Sequence, residues 1–181
     1  MENKSGRPRV YKFAKQSSAP DPEIAFHLDY IQELAQRVAD QVEHLPHAAI
    51  NYVAVNTQLS VGRLVLHLVS NDFKMMAMLS GSKLDPDFVA RTTAGNLDNF
   101  SVPPGDTAFS KDIIKNHIEN RKPESIKVRD NIKNMDQAID THPKLKTVRE
   151  LILHMEWHWT YHSGHIGLLA QEAGYDYTWT M

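Results

Sequence analysis

The chain has 181 residues, 41% of them apolar, and a formal net charge of −2 from 20 basic and 22 acidic side chains. That length suits one domain with a sizeable core, and the balanced charge argues against a dedicated nucleic-acid partner. Cysteine is absent, which excludes disulfides, Cys-ligated zinc, iron–sulfur clusters and a cysteine nucleophile.

No apolar run approaches the roughly 18 residues that cross a bilayer, so no membrane association is expected. The opening stretch MENKSGRPRVYKFAKQ is polar and basic (Lys4, Arg7, Arg9, Lys12, Lys15). It lacks the apolar core of a signal peptide. Residues 1–20 are therefore expected to be a flexible basic tail ahead of a single domain over 21–181, in a cytoplasmic protein.

Asp21–Pro22 opens the first helical pattern, with apolar positions at Ile24, Leu28, Ile31, Leu34, Ala35, Val38 and Val42, spaced for one helix face. Leu45–Pro46 ends it, and residues 46–59 read as an extended connection. Ser60 is a credible N-cap for a second helix that stops near Gly81. Its inward stripe is Leu64, His67, Leu68, Asn71, Met75 and Met78, so a metal-capable imidazole sits among apolar neighbours.

From Ser82 to about Pro104 the signals are loop-like (Asp85–Pro86, Gly95, Pro103–Pro104–Gly105), with room for a short helix. A stretch of this length can act as a lid or as a plain connection. A third helical region is predicted over 107–121, interrupted at Pro123 and resumed to about Thr141, with Ile126, Ile132, Met135 and Ile139 facing inward; His142–Pro143 closes it. Thr147 and Glu150 then form a capping box before an apolar run, and Gly174 marks the stop. The last helix spans about 27 residues, near 40 Å. Strand alternation never persists. The fold class is all-α: a four-helix bundle with one long crossover connection.

The last helix carries His154, His158, His162 and His165, four of the chain's ten histidines. At about 100° per residue their side chains fall within roughly 80° of one another. Bundle cores build metal sites from side chains on facing helices, which makes His67 the natural partner. One ion cannot take the whole ladder, because positions eight residues apart lie about 12 Å apart along the axis. Spacing leaves three choices open: 154/158, 158/162 or 162/165. Trp157, Trp159 and Tyr161 either line a pocket or pack the core or an interface.

The stretches Leu59-Ser-Val-Gly-Arg-Leu-Val-Leu-His67-Leu and His154-Met-Glu-Trp-His158-Trp-Thr-Tyr-His162-Ser-Gly-His165-Ile resemble the DinB / YfiT-like superfamily. That superfamily shows a helix of pattern [WL]-S-[IV]-x-x-[LI]-x-x-H-L and a later H-x-x-x-H-x-G-[QH]-[IL], in this order. The likeness implies a crossover four-helix bundle holding a divalent metal on three histidines, here His67, His158 and His162. Zinc or nickel are the first choices, with iron, manganese or copper as further options. His165 falls where many members have glutamine, and is the candidate catalytic residue, at the rim. His154 becomes a supporting residue, and Asn71 and Glu156 are candidate hydrogen-bond partners of the ligands.

Three imidazoles leave coordination positions open, as catalytic rather than structural sites do. The resemblance implies an S-transferase in which the metal activates a low-molecular-weight thiol for attack on a small-molecule electrophile. The alternatives are hydrolysis by metal-activated water and a non-catalytic metal- or ligand-binding stress protein. A homodimer is compatible with the family.

Overall fold

Asp21 accepts a hydrogen bond from the Glu23 amide at 2.8 Å, and Pro22 pre-sets the first helical φ, so α1 (Pro22–Glu43) starts where the sequence signals it. The computed structural model describes residues 20–92 and 110–175; residues 1–19, and with them nearly all of the predicted tail, lie outside that range. After α1 come α2 (His47–Asn51), α3 (Val61–Ser80), α4 (Pro86–Thr92), α5 (Lys111–Glu119), α6 (Arg121–Asn131) and α7 (Val148–Glu172). No strand occurs among the described residues, only an isolated Ala138–Thr147 bridge.

Ser60 caps α3 by accepting from the Arg63 amide at 3.2 Å. Gly81, at φ 69°, ends the helix in the left-handed conformation that glycine adopts without strain. Thr147 and Glu150 form the reciprocal capping box at the start of α7, and Gly174 follows its end at φ 85°. These caps fix the ends of the two helices that carry the histidines.

The helices pack as four corners. α1 and α3 lie diagonally, each against α7 and against α5–α6. Side-chain pairs set the directions. Glu23–Arg149, His27–Glu156 and Gln41–Ser163 advance together, so α1 and α7 run parallel. Asp72–Arg121 and Met76–Ser125 make α3 and α6 parallel too. His67–His162 and Asn71–His158 set α3 antiparallel to α7. The described helices form an all-α bundle, as the sequence predicted, in which α3 and α6 run parallel.

The core is built from the predicted stripes. Ile24, Leu28, Ile31, Leu34, Ala35, Val38 and Val42 of α1 are buried, as are Leu64, Leu68 and Met75 of α3. At the centre lies an ion pair with essentially no solvent exposure, in which Arg121 Nε donates to Asp72 Oδ2. Arg121 Nη1 donates to Gln32 Oε1 at 2.8 Å, and the guanidinium stands 5.6 Å from the Trp159 ring centroid. One side chain of α6 therefore touches α1, α3 and α7.

Three expectations need correction. Residues 46–59 are not wholly extended: Pro46 seats the short helix α2, which buries Ala49 and Ile50. The third helical region breaks between Glu119 and Arg121 rather than at Pro123. Pro123 lacks the N–H that would bond the Glu119 carbonyl and crowds that carbonyl, so the defect sits upstream of the proline. The resumed helix ends at Asn131, not Thr141. Asn131 bonds back to the Lys127 carbonyl at 2.8 Å, and Asn134 caps the Asp136 amide at 3.0 Å. Side chains that serve their own backbone compete with helix here. Ile132, Met135 and Ile139 are buried from this irregular segment, while Ile126 is exposed. The predicted loop from Ser82 contains α4; its remainder, and the predicted helix start at 107, lie outside the described residues.

Removing one partner of the buried pair strands the other charge. R121A is expected to lower the unfolding free energy by about 3–5 kcal/mol, read from urea melts, and R121M/D72L is expected to recover most of that loss. Between α1 and α7, His27 Nδ1 meets Glu156 Oε1 at 2.6 Å, and this bond raises the His27 pKa above its usual value. A raised pKa stabilises the fold fully below the unfolded value and is lost as pH rises through the folded one. H27Q should therefore cost about 1 kcal/mol at pH 6 and progressively less toward pH 9, measured as the difference from wild type in parallel melts.

Candidate metal centre

His67 lies two turns into α3, and His158 and His162 occupy successive turns of α7. A spacing of four on one helix stacks two imidazoles on one face, and the antiparallel packing of α3 supplies the third from across the groove. The three ring centroids are 4.8 Å (His67–His158), 5.1 Å (His67–His162) and 4.7 Å (His158–His162) apart. The rings stand edge-on to one another, at 74°, 79° and 86°. His67 Nε2 and His158 Nε2 face each other at 2.9 Å.

All three offer a ligand nitrogen within 4.8 Å of the others. Two nitrogens bound to one ion at about 2.1 Å are at most about 4.2 Å apart. The close pair is inside that limit, and the third ring's ligand nitrogen stays within 4.8 Å of both. Of the three rungs that spacing left open, the fold brings 158/162 to His67.

The surroundings keep His158 and His162 neutral. Burial, followed by repulsion from His67, His162 and His154, pushes the His158 pKa down to about 3. Burial, followed by His67 and His165, pushes His162 down to about 4. A neutral imidazole is the form that binds a cation, so both rings hold a free lone pair at neutral pH. The donor set is three imidazole nitrogens with no carboxylate, a combination that fits a divalent transition metal.

The outer nitrogens are engaged as well. The Asn71 carboxamide is 3.4 Å from His158 Nδ1, as the sequence suggested. The atom placed there is Nδ2; turning the amide over sets Oδ1 to accept from a protonated Nδ1, which leaves Nε2 for an ion. His165 Nδ1 stands 3.2 Å from His162 Nδ1, so His165 lies beside a predicted ligand. His154 stacks on His158 at 5.7 Å and 14°. Glu156 does not reach the cluster; its partner is His27 on α1. Trp159 is a core residue, 1% exposed, whereas Trp157 and Tyr161 are exposed.

The roles of His27, Asp72 and Arg121 were not foreseen. Each pairs across the bundle with a residue far away in the chain, and no local pattern marks such pairs. A cavity of about 660 Å³ opens between the C-terminal half of α3 and α4–α6, lined by Phe73, Phe88 and His117 among others. None of the three clustered histidines lines it. Among the described residues no helix is long and apolar enough to cross a membrane.

The family model described as "DinB family" matches residues 25–181, most of the chain and both histidine helices. The search of curated proteins matches nothing, and neither does the search of solved structures.

Tag-free protein is expected to carry close to one divalent ion per chain, by mass spectrometry after reconstitution with zinc or nickel. H67A and H158A should each weaken binding by 100-fold or more, an order-of-magnitude figure for the loss of one of three ligands, while H154A should retain the ion.

Proposed function

The chain belongs to the DinB family, and from that premise we propose a metal-dependent S-transferase that joins a low-molecular-weight thiol to a small electrophile. The observation that carries the reading is the convergence of three imidazoles from two helices, two of them held neutral by burial. Three protein ligands leave positions open for a reactant. A divalent ion bound there, zinc or nickel by donor type, supplies the Lewis acidity that makes a thiolate available at neutral pH.

The chain's own residues do the remaining work. His67, His158 and His162 hold the ion. Asn71 fixes the tautomer and orientation of His158, as hydrogen-bond partners of ligating histidines do. His165 steadies His162 through Nδ1, and its Nε2 is the nitrogen left to take the thiol proton. With no cysteine in the chain, no side-chain thiol competes with the reactant for the ion. A cytoplasmic setting, where small thiols stay reduced, suits this chemistry.

Reconstituted protein is expected to consume a thiol-reactive electrophile only when a small thiol is present. H158A should abolish the activity, and H165Q should lower kcat by about 10- to 100-fold with its ion retained. Turnover of an activated ester without thiol, lost in the same H158A variant, would overturn the transfer reading in favour of hydrolysis. A loaded protein inert in both assays would leave a binding protein.

A further inference from the structure

We propose that Trp157 and Tyr161 form the platform that receives the electrophile, and that the electrophile is a planar, electron-poor aromatic or conjugated molecule. The proposal rests on the transfer reading above and adds its substrate class. Trp157 is 54% and Tyr161 49% exposed, unusual for such large rings, and they stack on each other at 4.8 Å and 19°.

The pair is continuous with the histidine cluster. The Tyr161 ring stands 5.2 Å from His162 and 4.4 Å from His165, and Trp157 lies 5.5 Å from His154. An unbroken series of rings thus runs from the candidate ligands to solvent. Leu153 and Leu168 extend the strip at 45% and 64% exposure. Gly164, between Tyr161 and Leu168 on the same face, leaves open space where a Cβ would stand, with nothing within 4 Å. These five positions carry no charge, so the strip offers rings and alkyl surface only.

This surface selects for flatness and electron demand. Indole and phenol faces are electron-rich, and an electron-poor ring stacks on them favourably. Two rings already stacked have less side-chain freedom to lose on binding. The same electron deficiency makes a ring carbon receptive to sulfur. With 1-chloro-2,4-dinitrobenzene the sulfur–carbon bond forms, the carbon–chlorine bond breaks with its electron pair leaving on chloride, and the thiol proton passes by way of His165 Nε2 to buffer.

The test compares wild type, W157A and Y161A, each checked for ion content and melting temperature. Equilibrium dialysis with 2,4-dinitroaniline, planar but unreactive, reads the platform alone. Kinetics with cysteine as the thiol compare chlorodinitrobenzene with iodoacetamide, which has no ring. Both variants should bind dinitroaniline about tenfold more weakly, and raise KM for chlorodinitrobenzene about tenfold more than they raise KM for iodoacetamide. Wild-type dinitroaniline binding in both variants would overturn the proposal. So would a dimer in sedimentation that W157A dissolves, which would make the strip an interface between copies. Binding lost in W157A, with neither electrophile consumed by wild type, would keep the platform and sink the transfer reading alone.

Discussion

A single guanidinium ties the bundle together. Arg121 on α6 meets Asp72 of α3, Gln32 of α1 and the Trp159 ring of α7, all in the interior. An unpaired charge there is prohibitive, so the four corners can approach only in the register that brings Asp72 to Arg121. Apolar stripes tolerate sliding by a turn, whereas a buried ion pair does not. The candidate metal centre inherits this register at one remove. Asp72 follows Asn71, which touches His158 Nδ1, and Trp159 follows His158 itself.

The imidazole cluster depends on that register because its members come from two origins. His158 and His162 are neighbours by helix geometry alone. His67 joins them only through the packing of α3, across 91 positions of sequence. Crowding three imidazoles together is tolerable because the buried rings stay uncharged; three imidazolium ions at these distances would repel strongly in a medium that screens poorly. The burial and crowding that weaken His158 and His162 as bases leave them ready to donate to a cation.

Much of this was legible in the residues. The caps at Asp21, Ser60 and Thr147, the stops near Leu45, Gly81 and Gly174, and the stripes of α1 and α3 are local signals, and the structure keeps them. The errors cluster in 46–59 and 119–141, where short-range propensity is weak. There Pro123 acts on a carbonyl four residues back, and asparagine side chains bond their own backbone. At the site, spacing marked the ladder from His154 to His165 without choosing a pair; the family resemblance singled out His67, His158 and His162, and Asn71 stood out by its place one turn beyond His67. Glu156 was mis-assigned because helix position alone does not say which neighbour a side chain meets. Arg121 left no trace in any window, since its partners lie 49 and 89 residues away.

The parallel run of α1 and α7 bears on how the chain is made. α1 is a neighbour of α7, and their contacts span more than 120 positions (His27–Glu156, Gln41–Ser163). Such long-range pairing slows folding and leaves apolar surface waiting for its cover. Until residues 148–172 emerge, the face of α1 that packs on α7 has nothing native to meet. Closure of this bundle therefore waits on residues 148–172, and loss of either α1 or α7 uncovers the same seam.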